Sequence, residues 1–388
     1  MSYETRKLKD ISIIKTGKLD SNAAVNGGTY PFFTCDPTTL AIDKWAYDTE
    51  AVLLAGNNAS GNYTAKYYKG RFNAYQRTYI IESANNDELL VRFLCYAMNQ
   101  QLRLLKTMSS GSTTKFLTIR MLHGLDIPCP SLDIQKKIVG ILGSIDDLIE
   151  NNQKQIKLLE EAAQRLYKEW FVDLHFPGYE DVKVVDGVPE GWEFQPLSEV
   201  FDYIRGKSYT SKELVDKGGS VMVNLKNIKA FGGYKRNAEK RFIGKYKETQ
   251  SLSAGDIIMG VTDMTQERRL VGHVAIVPEL GEKATFSMDL IKLIPKSVSR
   301  SYLYGTMLFG GYSKKISPLA NGVNVLHLKP DVMMNMKMLI PASDVMKQYE
   351  EVFEPYRKKI EFLQKQCDVA AEARDRLLPK LMSGEIEV

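Results

Sequence analysis

The sequence predicts an α+β protein built twice: two globular domains of mixed, mostly antiparallel sheet, separated by a long antiparallel two-helix coiled coil and related by an internal pseudo-two-fold duplication. Three observations predict it. A shift of 211 residues brings two segments into register without gaps. Each copy ends in a run with the three-and-four apolar spacing of a narrow helical seam. Each such run is preceded by short β-type runs punctuated by Gly and Asn turns.

The duplication is clearest in the helices. Ile149, Glu150, Gln153, Lys154, Gln155, Glu161, Ala162, Arg165 and Leu166 meet identical residues at Ile360, Glu361, Gln364, Lys365, Gln366, Glu372, Ala373, Arg376 and Leu377. In the same register Gly111 meets Gly322, Leu117 meets Leu328, Pro130 meets Pro341 and Asp133 meets Asp344. Shared helical composition does not explain matched Gly and Pro outside the helices, so the chain reads as a repeat.

In the first copy Ile134, Ile138, Ile141, Ile145, Leu148, Leu159, Ala162 and Leu166 form the expected seam. In the second it is formed by Val345, Tyr349, Val352, Tyr356, Ile360, Leu363, Cys367, Ala370, Leu377 and Leu381. Pro355 falls opposite Ser144, and both residues suit a helix start better than its middle. Breaks are therefore expected there, leaving long helices over Ile145–Trp170 and Tyr356–Leu381. A narrow seam needs a partner, and each copy supplies one. Antiparallel pairing leaves the connection between the copies a short distance to cross.

Runs 51–56 and 77–81 read as strands and Leu89–Leu105 as a helix; 256–261, 272–277 and 290–294 read as strands before a helix around Tyr302–Phe309. The Gly- and Pro-rich stretch 173–192 lacks helical period and reads as a linker. The expected domains are 1–130, a helical region 131–172, a linker 173–194, a second globular domain 195–341 and a distal helical region 342–388.

With 44% hydrophobic and 26% charged residues, the composition is that of an ordinary soluble globular protein. No apolar run approaches the ~20 residues of a membrane span, and the first residues show no apolar signal core. Cys35, Cys95, Cys129 and Cys367 are scattered without a CxxC pair, so neither zinc nor a disulfide framework is suggested. A cytoplasmic protein without cofactor or metal is expected. The four histidines, His123, His175, His273 and His327, are isolated. There is no Asn/Asp-Pro-Pro-aromatic signature, no GxxxxGK[ST] loop and no HExxH, so no catalytic residue is assigned.

Net charge is +5, but twelve Lys/Arg face three acids between Arg205 and Lys247, leaving the rest of the chain at −4. Such a block suits a polyanion partner or a Lys-rich solvated surface, and charge alone leaves both open.

Along essentially its whole length the chain resembles the specificity subunits of type I restriction–modification systems. The likeness is carried by GSTTKFLTIRMLHGLDIPCPSLDIQKKIVGIL (111–142), GVPEGWEFQPLSEV (187–200), GDIIMG (255–260) and RDRLLPKLMSGEI (374–386). It departs at Ile340-Pro341-Ala342-Ser343, less like the family's lead-in than Ile127-Pro128-Cys129-Pro130. The resemblance implies that the globular domains are α/β target-recognition domains, each reading one half of an asymmetric, interrupted site in double-stranded DNA. It also implies helical regions that dock two methyltransferase subunits, with restriction–translocation subunits joining outside. The alternatives are a single-chain DNA methyltransferase or nuclease with a fused recognition domain, for which the duplication leaves no room, and a scaffold with no nucleic-acid role.

In that light several groups are candidate DNA contacts. The first domain offers Lys66, Lys69, Arg71, Gln76 and Arg77 among aromatics, then Ser112, Thr113 and Lys115 in a glycine loop. The second offers Lys226, Lys229, Lys235, Arg236, Lys240 and Arg241, then Arg268 and Arg269, with Asn321 and Asn324 in the loop matching the first domain's. Cations suit phosphates, Arg and amides suit base edges, and hydroxyls suit either. For each set the competing reading is a solvated hairpin or turn. Leu166, Tyr167, Trp170 and Phe171, with Leu377 and Leu381, are candidate partner contacts, against the reading that they pack back on the chain.

Overall fold

The computed structural model describes residues 3–58, 63, 65–102 and 115–388. The chain forms two compact units, one of residues 1–153 with 365–388 and one of residues 154–364. Four helices matter most: α1 (Val91–Gln100), α2 (Leu132–Phe171), α3 (Arg300–Phe309) and α4 (Ser343–Ser383).

The first unit is organised by six strands: β1 (Ser12–Thr16), β2 (Tyr30–Phe33), β3 (Leu40–Ile42), β4 (Tyr47–Ala55), β5 (Ala65–Ala74) and β6 (Thr78–Ser83). Their order is β1-β6-β4-β5-β2-β3, antiparallel except for β2 on β5. Residues 51–55 of β4 are all buried because both faces of the sheet are covered, which is why this run is continuously apolar instead of alternating. Val52 and Leu54 join α1, Ile138 and Leu142 on one face; Ala51 and Leu53 join Phe33, Phe72 and Ile80 on the other.

Side chains from α2 fix α1 in place. Gln135 is fully buried; its Oε1 accepts the Leu90 N–H at 3.0 Å, while its Nε2 donates to the Glu88 and Pro130 carbonyls at 2.8 and 2.9 Å. One residue thus accepts the Leu90 N–H at the start of α1, which has no capping side chain of its own. Asp146 accepts the Tyr96 hydroxyl at 2.6 Å and Arg374 Nη1 at 3.0 Å, joining α1, α2 and α4. Burial pushes the Tyr96 hydroxyl well above its ordinary value, and the Asp146 hydrogen bond and charge add to the shift. Replacing Arg374 by Ala leaves a half-buried carboxylate short of its partner. The expected cost is about 1–2 kcal/mol, discounted for exposure, read as faster hydrogen exchange in residues 91–100 and 132–153.

The two long helices run antiparallel within each unit. In the first, Asp146 meets Arg374, the Ile149 carbonyl meets Cys367 Sγ at 3.8 Å and Asn152 Nδ2 donates to Gln366 Oε1 at 3.3 Å. In the second, the rings of Tyr167 and Trp170 lie 6.4 and 5.9 Å from Tyr349. The expected breaks at Ser144 and Pro355 are absent, and α2 and α4 run unbroken for 40 and 41 residues. The Ser144 hydroxyl donates to the Ile141 carbonyl at 2.8 Å, a bond that lets Ser sit mid-helix. Pro355 costs one backbone bond, but it lies between buried Phe353 and Arg357, which pairs with Glu354 and Glu361. The seam also differs in detail. Ile141, Leu148 and Val352 are exposed, and Leu142, Asn152 and Phe353 are buried instead. The helices pack on the sheet domains as well as on each other, so their buried stripe is rotated from a pure helix–helix seam.

The second unit holds β7 (Phe201–Arg205), β8 (Leu214–Val215), β9 (Ser220–Val223), β10 (Lys240–Phe242), β11 (Ser251–Leu252), β12 (Ile257–Gly260), β13 (Val274–Ile276), β14 (Ala284–Phe286) and β15 (Leu290–Pro295). They form a four-stranded antiparallel sheet, β7-β15-β12-β13, and a five-stranded sheet, β8-β10-β9-β14-β11, parallel only between β9 and β14. The stretch read as a linker is folded onto this unit. Phe176 and Trp192 are buried with ring centroids 5.0 Å apart, and Trp192 lies 6.0 Å from Phe171. A tight turn at Asp186-Gly187, both left-handed, closes the Val184–Val185/Val188–Pro189 hairpin. Its buried anchors, Phe176, Pro189 and Trp192, are too unevenly spaced to show a period.

Candidate nucleic-acid interface

The same small ladder recurs in both units. Asn57–Asn58 pairs with Lys115–Phe116, and Thr262–Asp263 pairs with Leu326–His327. Leu117 N–H donates to the Gly56 carbonyl at 2.8 Å, and Leu328 N–H to the Val261 carbonyl at 2.8 Å. The 211-residue shift carries 115–117 onto 326–328, so matched sequence gives matched structure here.

In the second unit the ladder supports a loop organised by Asp263, whose carboxylate is fully buried. Oδ1 accepts the Thr265 N–H and hydroxyl at 2.8 Å each; Oδ2 accepts the Leu270 and Val271 N–H groups at 2.6 and 3.2 Å. Burial pushes the carboxyl up, but the Leu270, Thr265 and Val271 donors outweigh it, leaving the pKa below the ordinary carboxylate value. Arg268 lies within this closed loop with a left-handed φ of 51°. Gln266 Nε2 donates to the Val323 carbonyl at 3.2 Å, and Phe231 N–H donates to the Arg269 carbonyl at 2.8 Å. The Phe231 ring stands edge-on to His273 at 5.6 Å, and burial pushes the His273 imidazole below its ordinary value. Segments 229–233, 262–271 and 321–327 are thereby tied together. Arg268 and Arg269 lie on one of these joined turns, Asn321 and Asn324 on another and Lys229 on the third, with Arg269 3.9 Å from Glu267. Cations and amides held on a braced surface suit phosphate and base-edge contacts.

The remaining second-domain candidates are arranged otherwise. Lys226 and Lys235 are exposed on a loop pinned by buried Asn224 and Asn227, which donate to the Ala238 and Lys235 carbonyls at 2.8 and 3.0 Å. Arg236, Lys240 and Arg241 line a depression of about 320 Å³ shared with Glu239, Glu279 and Glu282. Arg241 pairs bidentately with Glu282 at 2.6 and 2.8 Å. Lys240 donates to the Tyr209 hydroxyl at 2.8 Å and lies 5.1 Å over its ring. The basic block is thus not one bare cationic face. Glu282 lies 41 residues from Arg241 in sequence, outside any local charge count.

In the first unit Lys66 and the pair Lys69 and Arg71 point to opposite faces of β5, as period two requires. Lys66 donates to Thr39 at 3.1 Å; Lys69 pairs with Glu50 at 3.2 Å; Arg71 pairs with Asp48 at 3.1 Å and lies 5.0 Å over Trp45. Gln76 donates to Asp20 at 3.0 Å, and Arg77 lies 5.6 Å over Phe116, beside the ladder. Lys115 lies in the ladder strand; Ser112 and Thr113 lie outside the described residues.

The partner-contact candidates are largely internal. Tyr167 and Phe171 are buried in the second unit's core with Leu166 and Trp170 packed against it, and Leu381 is buried in the first unit's core with Leu377 beside it. Bulk at a helix end marked core here, because the sheet domains cover these faces. Sequence reasoning missed Asp263, Gln266, Phe231 and Val323. Only Asp263 left a signal, an Asx-turn pattern with Thr265 two residues on. Among the described residues no group of three His, Cys, Asp or Glu could hold a metal, and no helix is long and apolar enough to cross a membrane.

The chain matches the family model for the type I restriction modification DNA specificity domain twice, over residues 2–161 and 189–369. It is 30% identical over 227 residues to the type I restriction enzyme EcoDI specificity subunit of Escherichia coli, a match covering 52% of this chain and about half (49%) of that protein. To the MjaIX specificity subunit of Methanocaldococcus jannaschii it is 26% identical across all of this chain and 94% of that one. It shares its fold with the crystal structure of a type I S subunit from M. genitalium, with a TM-score of 0.65 at 16% identity over 98% of this chain and 96% of that one. The chain belongs to the type I restriction–modification DNA specificity family. Its class is that of a type I DNA specificity subunit.

Proposed function

We propose that the chain reads a split DNA site, with residues 1–130 and 195–341 as two target-recognition domains that each contact one half-site. The observation supporting this most is the recurrence of one ladder, with one pattern of backbone bonds, in two units whose surrounding loops differ in sequence. A shared frame with divergent loops suits two related recognition events with different half-sites. The helical regions 131–172 and 342–388 act as a coiled-coil spacer that sets the gap between them. Exposed Leu148, Leu158, Phe362 and Val369 on these helices offer apolar docking surface for two methyltransferase subunits, with restriction–translocation subunits joining outside. In the second domain Arg268, Arg269, Asn321 and Asn324 face the bases and phosphates, with Lys226, Lys229, Lys235, Arg236 and Lys240 adding phosphate contacts. In the first, Lys115 lies in the equivalent ladder with Arg77 beside it.

The test is domain exchange. Residues 1–130 are replaced by the matching domain of a relative, and methylated sites are sequenced in a host expressing the chain with its methyltransferase. One half of the methylated motif should change while the other half persists. Simultaneous change in both halves would contradict independent reading by two domains.

A further inference from the structure

Met264 and Val323 are the two most exposed large hydrophobic residues among those described, 78% and 87% accessible. They sit on the two turns joined by the Gln266–Val323 hydrogen bond. Neither turn is slack. Met264 follows directly on Asp263, whose carboxylate gathers the loop's N–H groups. Val323 follows Gly322, held at φ 150°, where an added Cβ would fall 1.9 Å from the Val325 carbonyl oxygen. Apolar surface held in water on braced turns is unfavourable until something covers it. The surrounding side chains say what does: Arg268, Arg269, Asn321 and Asn324 suit the phosphates and base edges of a duplex. In the major groove the apolar group among those edges is the thymine 5-methyl.

We propose that Met264 and Val323 are specificity-determining residues that pack on a thymine 5-methyl group, so that the half-site read by the second domain carries an A·T pair at that position. The inference rests on the DNA-reading function proposed above and deepens it. The two side chains supply the apolar contact, and the Asp263 and Gly322 turns hold them rigid, so little ordering is required on binding.

The experiment uses the full chain assembled with its methyltransferase. The methylated motif is first read from cells. Duplexes carrying that site are then made with each thymine of the second half-site replaced, one at a time, by deoxyuridine, which lacks only the methyl group. Removing one covered methyl should weaken wild-type binding about fourfold at one position. In M264A/V323A the thymine and deoxyuridine duplexes should bind alike there, with the sensitivity of the first half-site unchanged. A second half-site without an A·T pair, or a wild-type ratio near one at every thymine, overturns the proposal while leaving sequence-specific reading intact. Weakened methyltransferase assembly in M264A/V323A with an unchanged thymine preference would make these residues a protein-docking surface, and would also overturn it. Binding without any sequence preference would instead overturn the DNA-reading function itself.

Discussion

Replacing Asp263 by asparagine is expected to destabilise the second unit by about 3 kcal/mol and to weaken sequence-specific DNA binding about tenfold or more. The carboxylate accepts from the backbone N–H groups of Thr265, Leu270 and Val271 and from the Thr265 hydroxyl. An asparagine offers one oxygen. Its amide N–H₂ would face donors on the other side, leaving buried N–H groups unsatisfied and the turn that carries Arg268 and Arg269 unbraced. The effect has a signature in pH. The folded-state pKa lies below the ordinary value, about 3.9 in an unfolded chain. The carboxylate's contribution is therefore complete above that value and is lost as pH falls through the folded one. The stability gap between wild type and D263N should be constant at neutral pH and should narrow below about pH 4. An equal thermal midpoint at pH 7 would show that the loop is held by other contacts.

Inserting one heptad after Gln155 and another after Gln366 is expected to lengthen the gap between methylated half-sites by roughly three base pairs without changing the half-sites. Each insertion adds about 10 Å at 1.5 Å per residue, and seven residues keep the buried stripe nearly in phase. In the first unit Asn152 meets Gln366 and Ile149 meets Cys367, so the two insertion points lie close to one level of the antiparallel pair. The unbroken helices strengthen this expectation, since no hinge at Ser144 or Pro355 is available to absorb added length. Affinity should fall as well, because three more base pairs turn the second half-site by about a third of a helical turn and the DNA must twist to compensate. The readout is the gap in methylated sites recovered from cells. A folded, active variant that keeps its original gap would show that another part of the complex sets the distance.

Much of this protein is legible in one dimension because its strongest signals are local or periodic. The 211-residue repeat predicted equivalent structures at Leu117 and Leu328, and both make the same backbone bond to the strand beside them. The apolar run 51–56 identified a strand and the three-and-four spacing identified long helices, since burial on a sheet or helix imposes its period on the sequence. Pro355 misled. A proline's cost is local, whereas the packing of Tyr349 and Phe353 that outweighs it comes from residues more than a hundred positions away in some cases, such as Phe171.

What the tertiary structure alone decided is which charged and apolar side chains are spoken for. Arg241 belongs to Glu282 and Arg374 to Asp146, and Tyr167 and Phe171 lie in a core, not at a surface. Conversely, only the folded chain brings Gln266 to Val323 and Phe231 to Arg269, assembling one face from three segments spread over nearly a hundred residues. Sequence by itself determined the mixed helix-and-strand class, the two copies of the specificity domain and the family, because these rest on periodicity and on motifs contiguous in the chain. The candidate interface came only from the tertiary structure, because a charge or a methyl group acquires its neighbours only after the chain has folded back on itself.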